Sequence, residues 1–262
     1  MSAAASGEAG AEVAAACPMS RLSATMPAMP RVLHDLACID DRRPSPYCWR
    51  SKYALAHKGL EFETRPQGFL DIPGLYGGGH KTVPILDDGG RVIPDSWAIA
   101  DYLDTTYPDR PRLFATPTER ALCRFTEAWL FGALAPLLFP MIALDIHDHA
   151  RPADRAYFRE SREQRLGRSL EAAAAGREER LATVRASLSP LRLTLTVQGQ
   201  RFVSGEQPGY ADYIAAGFLL WVASVTTLPL FEHDDPVVAW FERVRDLHGE
   251  LGRSAPMYAI AV

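Results

Sequence analysis

Cysteine is scarce in this chain, with four in 262 residues at Cys17, Cys38, Cys48 and Cys123. No two of them are spaced as a metal-binding pair, and a disulfide-stapled fold needs a shorter, denser set. A dominant charge is lacking too: a formal net charge of −4 offers no overall basic excess for nucleic acid. Nor does any stretch reach the roughly 18 uninterrupted apolar residues of a membrane span. The Ala-rich start has no basic residues ahead of it and carries Glu8 and Glu12 where a secretion signal is apolar. These absences predict a cytoplasmic protein with no metal, nucleic acid or membrane among its partners. What remains is ordinary globular composition, 47% hydrophobic and 23% charged, in a chain long enough for one or two cores.

Residues 1–28 are small, poor in aromatics and without a hydrophobic period, which predicts a disordered leader. Met19, Met26 and Met29 are alternative starts within or beside it. Arg31 to Leu36 alternates like a short strand. Ser45-Pro46 then supplies a helix cap and a proline at the first helical position. Trp49, Tyr53 and Ala56 recur at helical spacing, widened by Cys48 and Leu55, until Gly59. Glu61 to Thr64 reads as a second strand, and Gly77-Gly78-Gly79 links it to Thr82-Val83-Pro84-Ile85-Leu86. Asp87-Asp88-Gly89-Gly90 is a hairpin turn leading to Arg91-Val92-Ile93. Ser96 to Tyr107 has the period of an amphipathic helix, with Ser96 as its cap. After Pro108 strand-like alternation almost vanishes, and from about Pro117 to Leu251 every long segment is helical in character. A mixed-sheet α/β unit followed by an all-helical one is therefore predicted.

Three local features carry chemistry. Ser45 stands where helix N–H groups lack partners and the dipole is positive, so its hydroxyl could donate to an anion such as a thiolate. Ionisation alone achieves little there. A thiol of pKa about 8.5 is roughly 3% ionised at pH 7. Lowering that pKa by about 2 units raises the thiolate roughly 25-fold, but lost nucleophilicity gives back roughly 8-fold. Positioning must supply the rest. Val83-Pro84 suggests an irregular strand edge whose backbone could pair with an extended peptide if the bond is cis. Asp95-Ser96 before a helix could hold the ammonium and carboxylate of an amino acid. Taken singly, each reads more simply as ordinary structure: a cap, an edge proline, another cap.

Together, in this order, they resemble the glutathione-binding domain of the glutathione S-transferase superfamily. SPYCWRSKYALAHKGL at 45–60, TVPILDD at 82–88, DSWAIADYLDTTYPDRPRLF at 95–114, RESRE, GREERL and ADY followed by FLLWVASV resemble the bacterial lignin β-etherases. They are also similar to the fungal etherase-like glutathione transferases, over roughly residues 31–257. The resemblance implies a thioredoxin-like domain over 29–114 and an all-α domain over 115–262. It implies glutathione as co-substrate, an aromatic electrophile or aryl ether as second substrate, and a homodimer. Ser45 matches the thiolate-stabilising serine, and Val83 before cis Pro84 matches the residue that pairs with the cysteinyl backbone. Asp95 and Ser96 match the γ-glutamyl-binding pair, and Lys81 is a candidate for the glycine carboxylate. Trp129, Phe131, Phe218 and Trp221 fall on helices that can wall the electrophile pocket, although aromatics so spaced also serve as plain core.

Two departures stand out. Arg43 replaces a threonine that some etherases carry near the thiol, and Gly209 replaces the Ser or Thr cap three residues before the aspartate, here Asp212. Other motifs lead away from competing chemistries. Ser45-Pro46-Tyr47-Cys48 has the outline of a dithiol motif without its attacking cysteine, which excludes dithiol exchange. His147 and His149 point to different faces of a helix and do not chelate together. Arg159-Glu163 and the run Arg177 to Arg180 suit a solvated charged face. Two functions remain: a transferase displacing a phenol from a β-aryl ether, or a non-catalytic protein binding glutathione and aromatic ligands.

Overall fold

The computed structural model describes residues 30–261, so the predicted leader and Cys17 lie outside the described residues. The chain opens with β1 (Arg31–Leu36), α1 (Pro46–His57) and β2 (Glu63–Gln67). β1 and β2 are parallel, and α1 is the crossover that parallel pairing demands. β3 (Ile85–Asp88) and β4 (Arg91–Pro94) follow as an antiparallel hairpin on the other side of β1. The sheet order is β2-β1-β3-β4. Gly89 and Gly90 have φ of 63° and 94°, the positive pair that a two-residue hairpin turn matching the strand twist requires.

Two sequence boundaries move. The second strand runs two residues later than Glu61–Thr64, because its register on β1 starts at Glu63 opposite Val32. It tolerates Pro66 because it is an edge strand. The helix α2 (Ser96–Thr106) is capped by Asp95, not by Ser96: Asp95 Oδ1 accepts the N–H groups of Trp97 at 2.8 Å and Ala98 at 3.1 Å. Ser96 is turned inward instead, onto Arg50.

The rest is helical: α3 (Pro117–Trp129), α4 (Ala135–His149), α5 (Arg155–Leu166), α6 (Leu170–Ala174), α7 (Arg177–Ser187), α8 (Ser189–Thr196), α9 (Tyr210–Ala223) and α10 (Pro236–Arg245). A π-turn at Leu130–Leu134 joins α3 and α4 into one run, Pro117–His149. By length and apolarity that 33-residue run could cross a membrane. Yet Phe131, Ala135, Pro136, Phe139 and Pro140 line a cleft, which explains apolar residues outside the core.

The core lies where α1 meets α9. Every residue of α9 is buried, and α1 is buried from Cys48 through Leu55, charged Arg50 and Lys52 included. The sequence showed only one apolar face of α1; the helix is in fact enclosed by sheet and bundle. Gly217 of α9 makes this close approach possible, since a Cβ there would lie 2.7 Å from the carbonyl oxygen of Pro46. Gly209 has a similar reason. A Cβ would come within 2.5 Å of Ser204 Oγ, so the missing cap side chain leaves room for its neighbour. Asp212 still closes that turn: it accepts N–H groups from Val203, Ser204 and Gly209 and the indole N–H of Trp240.

Candidate active site

A cleft of about 780 Å³ runs between the α/β unit and the helices. Its polar end is built from two helix starts. Ser45 is the N-cap of α1, and its Oγ accepts the N–H of Cys48 at 3.2 Å. The hydroxyl proton therefore stays free to donate. Pro46 has no N–H, so the first unspent donor of α1 is the N–H of Tyr47, which has no partner among the described residues. Both open where the helix dipole is positive. The sequence named Ser45 and the unpaired first-turn N–H groups in general, without singling out Tyr47, although the proline at the first helical position implied it.

The second helix start repeats the arrangement. Ser96 Oγ, buried, accepts from Arg50 Nη2 at 2.5 Å, which again leaves a hydroxyl proton to donate. Asp95 caps α2 through Oδ1 and is otherwise exposed. Arg50 ties the end together. Its guanidinium is buried, pairs with Glu127 at 2.6 Å and lies over the Tyr47 ring at 4.9 Å. Glu127 also takes the indole N–H of Trp97 at 2.5 Å. Arg50 Nε is buried without a partner among the described residues. The only sequence signal for Arg50 was a charged residue inside an apolar stretch; its partner lies 77 positions away.

Between the two starts the peptide Val83–Pro84 is cis, and neither the N–H nor the C=O of Val83 has a partner among the described residues. Lys81 is exposed at the rim. Ser45, Lys81, Val83, Pro84, Asp95 and Ser96 thus all line one cleft. Arg43 does not. It turns the other way, to Asp35 at 3.2 Å and to Asp41, and lines a separate depression, so its charge is absent from the cleft.

The far end is aromatic. Phe131 lies on the π-turn and stacks on Tyr47 with centroids 4.9 Å apart; Phe139 stacks on Trp221 at 6.4 Å. Burial raises the Tyr47 phenol pKa, which keeps it protonated at neutral pH. Of the four aromatics singled out from sequence, Phe131 and Trp221 line the cleft. Phe218 stands behind them, edge-on to both at 5.5 and 5.4 Å. Trp129 faces elsewhere, donating its indole N–H to the carbonyl of Ser187 at 3.2 Å. Tyr157, Phe158, Arg162 and Arg165 of α5 complete this end and were not foreseen. Cys48 is fully buried beneath the site, and burial pushes its thiol well above the usual range. It is not a nucleophile.

Two family models match: "Glutathione S-transferase, N-terminal domain" over residues 44–106 and "Glutathione S-transferase, C-terminal domain" over residues 121–235. This chain belongs to the glutathione S-transferase superfamily. A probable glutathione S-transferase GSTU6 of Oryza sativa subsp. japonica is 27% identical over 216 residues, 77% of this chain and 80% of that protein. Glutathione S-transferase U22 of Arabidopsis thaliana is 35% identical over a shorter 86 residues, 31% of this chain and 39% of that protein. Among solved structures, GSTFuA3 from Phanerochaete chrysosporium is 25% identical with a TM-score of 0.71, covering 82% of this chain and 96% of its own. CsGST63524 of Ceriporiopsis subvermispora, crystallised in complex with glutathione, is 25% identical with a TM-score of 0.70, covering 87% and 99%. The transferase uses glutathione as its co-substrate.

Proposed function

We propose that this transferase is etherase-like: its bound glutathione thiolate displaces a phenol from an aromatic β-aryl ether. Glutathione would lie along the polar end. Its γ-glutamyl carboxylate would face the Ser96 N–H and hydroxyl, with Arg50 behind them, and its ammonium would face Asp95. The cysteinyl backbone would pair with Val83, and Lys81 would take the glycine carboxylate. The sulfur would then receive the Ser45 hydroxyl and the Tyr47 N–H, two donors that favour thiolate over thiol. In the reaction the sulfur bonds to the ether carbon as the carbon–oxygen bond breaks. The phenolate leaves with the bonding pair and takes up the proton that the thiol gave away. Attack from the side opposite the leaving oxygen inverts that carbon.

What carries this reading is one juxtaposition. Unspent donors at Ser45, Tyr47, Val83 and Ser96 share a cleft with an aromatic wall containing Phe131, Phe139 and Trp221. The test is phenol release from a model β-aryl ether with and without glutathione. No glutathione-dependent release above the uncatalysed rate would sink the etherase, while ligand binding without any turnover would leave a binding protein.

A homodimer and a cytoplasmic location belong to the same proposal. Leu122 and Phe125, one helical turn apart on α3, are 36% and 68% exposed, an apolar pair suited to a second copy. Light scattering on wild type and Phe125→Glu would test it, with mass falling in the variant. Cys38, Cys48 and Cys123 are free and buried, which suits a reducing compartment; imaging of a tagged chain would test that.

A further inference from the structure

The aromatic end holds two cations that no described carboxylate neutralises. Arg162 and Arg165 both come from α5 and both line the cleft. Of the two acids beside them on α5, Glu163 is taken by Arg159 at 2.9 Å, which also holds Glu171, and Glu160 is exposed and makes no ion pair with either arginine among the described residues. The two carboxylates that do line the cleft, Asp95 and Glu127, are committed to the polar end, one capping α2 and the other pairing with Arg50. The cleft is therefore acidic and basic at one end and purely basic at the other.

The guanidinium groups are also oriented. Arg162 lies over Phe158 at 4.8 Å and Phe69 at 5.7 Å, and Arg165 lies over Phe139 at 5.3 Å. Nη1 of Arg162 donates to Ser161 Oγ at 2.9 Å, and the group also meets the Tyr157 hydroxyl, two neutral partners that leave its charge unpaired. A guanidinium carries five donors in a planar fork. Stacking on rings fixes that plane, and the donors not spent on Ser161 and Tyr157 remain for a carboxylate. Burial lowers the pKa of Arg162; the Tyr157 hydroxyl opposes this and the like charge of Arg165 adds to it.

We propose that Arg162 and Arg165 select an aromatic electrophile that carries a carboxylate remote from the reacting carbon. The ring occupies the wall of Phe131, Phe139 and Trp221, the reacting carbon points to the thiol, and the carboxylate meets the arginines. This rests on the reading above only in taking the aromatic end as the electrophile's place; it does not require the leaving group to be a phenol.

The experiment compares chlorodinitrobenzene with its anionic analogue chlorodinitrobenzoate, both displaced by glutathione with loss of chloride. The readout is the ratio of kcat/KM for the anionic over the neutral compound. Arg162→Gln is expected to lower this ratio about tenfold, as loss of one charge-assisted contact does. Arg162→Lys should keep most of it, and Arg165→Glu, at an exposed position, should lower it even if Arg162→Gln folds poorly. Binding of unreactive dinitrobenzoate against its methyl ester, by calorimetry, gives a second readout without turnover. A ratio unchanged within twofold in Arg162→Gln and Arg165→Glu would overturn the proposal, as would equal loss of acid and ester binding. If the ether is not cleaved but the ratio falls, only the etherase reading fails; if the ether is cleaved and the ratio holds, only this one does.

Discussion

At one end of the cleft Arg50, Ser96, Glu127 and Trp97 bind one another across three helices. At the other, Phe131, Phe139 and Trp221 meet two arginines with no described carboxylate to hold them. The polar end is specified by directional bonds: its charged side chains are paired with one another, and they fix the few donors left unspent at Ser45, Tyr47, Val83 and Ser96. The aromatic end is specified by packing, which tolerates change of shape and leaves charge unspent. A site that always meets the same peptide can have its donors fixed in advance in this way. One that meets varied rings gains by keeping donors and faces open.

The largest effect should come from cutting the bonded end. Arg50→Met leaves Glu127 without its main cation and Ser96 Oγ without its donor. Stability should fall by about 3 kcal/mol, because the surviving partner of a buried pair is left uncompensated. KM for glutathione should rise more than tenfold. Chemical denaturation and initial rates would check both, and an unchanged KM would mean that the polar end is not organised by these bonds.

Next in size is Gly217→Ala. The added Cβ would crowd the Pro46 carbonyl, and overpacking of this kind costs about 1–3 kcal/mol. Any relief moves the start of α1, and with it Ser45 and the Tyr47 N–H, away from the sulfur. The expected signature is a severalfold lower kcat in the chlorodinitrobenzene reaction, measured at saturating glutathione.

These two residues also show what the sequence could and could not reveal. Ser45, Val83-Pro84 and Asp95-Ser96 were legible because a helix cap or a strand edge is a contact within a few positions. The alternation of mixed α/β and then helix was legible for the same reason. Even so, Asp95 rather than Ser96 caps α2, because a buried guanidinium from another helix claims the serine. Arg50 with Glu127, Gly217 against Pro46, and the arginines of α5 are long-range juxtapositions with no local period. Trp129 and Phe218 failed as wall residues because helical spacing shows that a face is apolar, not which neighbour it meets.

A smaller loss is expected from Ser45→Ala. The Cys48 N–H loses its cap, worth about 1 kcal/mol of stability, and the sulfur keeps the Tyr47 N–H. With one donor gone the thiolate is less favoured, so the apparent thiol pKa in the pH–rate profile should rise. Activity then falls most below that pKa and recovers as pH rises. Because ionisation contributes only about threefold for a shift of roughly 2 units, kcat/KM at neutral pH should drop by about three- to tenfold rather than vanish. Complete loss at every pH would show that Ser45 positions the sulfur as well as favouring its charge.

The smallest effect tests whether the two ends are independent. Phe139→Leu keeps an apolar side chain but removes the stack on Trp221 and the ring beneath Arg165. Aromatic contacts of this kind are worth about 0.5–1.5 kcal/mol, so KM for the electrophile should rise about two- to tenfold. Glu127 and Phe139 belong to the same continuous helical run, about 18 Å apart along it at 1.5 Å per residue. A rigid helix would carry a shift at Phe139 back to the Arg50 pair, and KM for glutathione would move too. Between them, however, lies the π-turn at Leu130–Leu134, whose looser hydrogen-bond register can absorb a small displacement. If it does, initial rates with varied glutathione will show a KM within twofold of wild type while the electrophile KM changes. Matched changes in both would mean that the run acts as one lever and that the bonded end answers to the packed one.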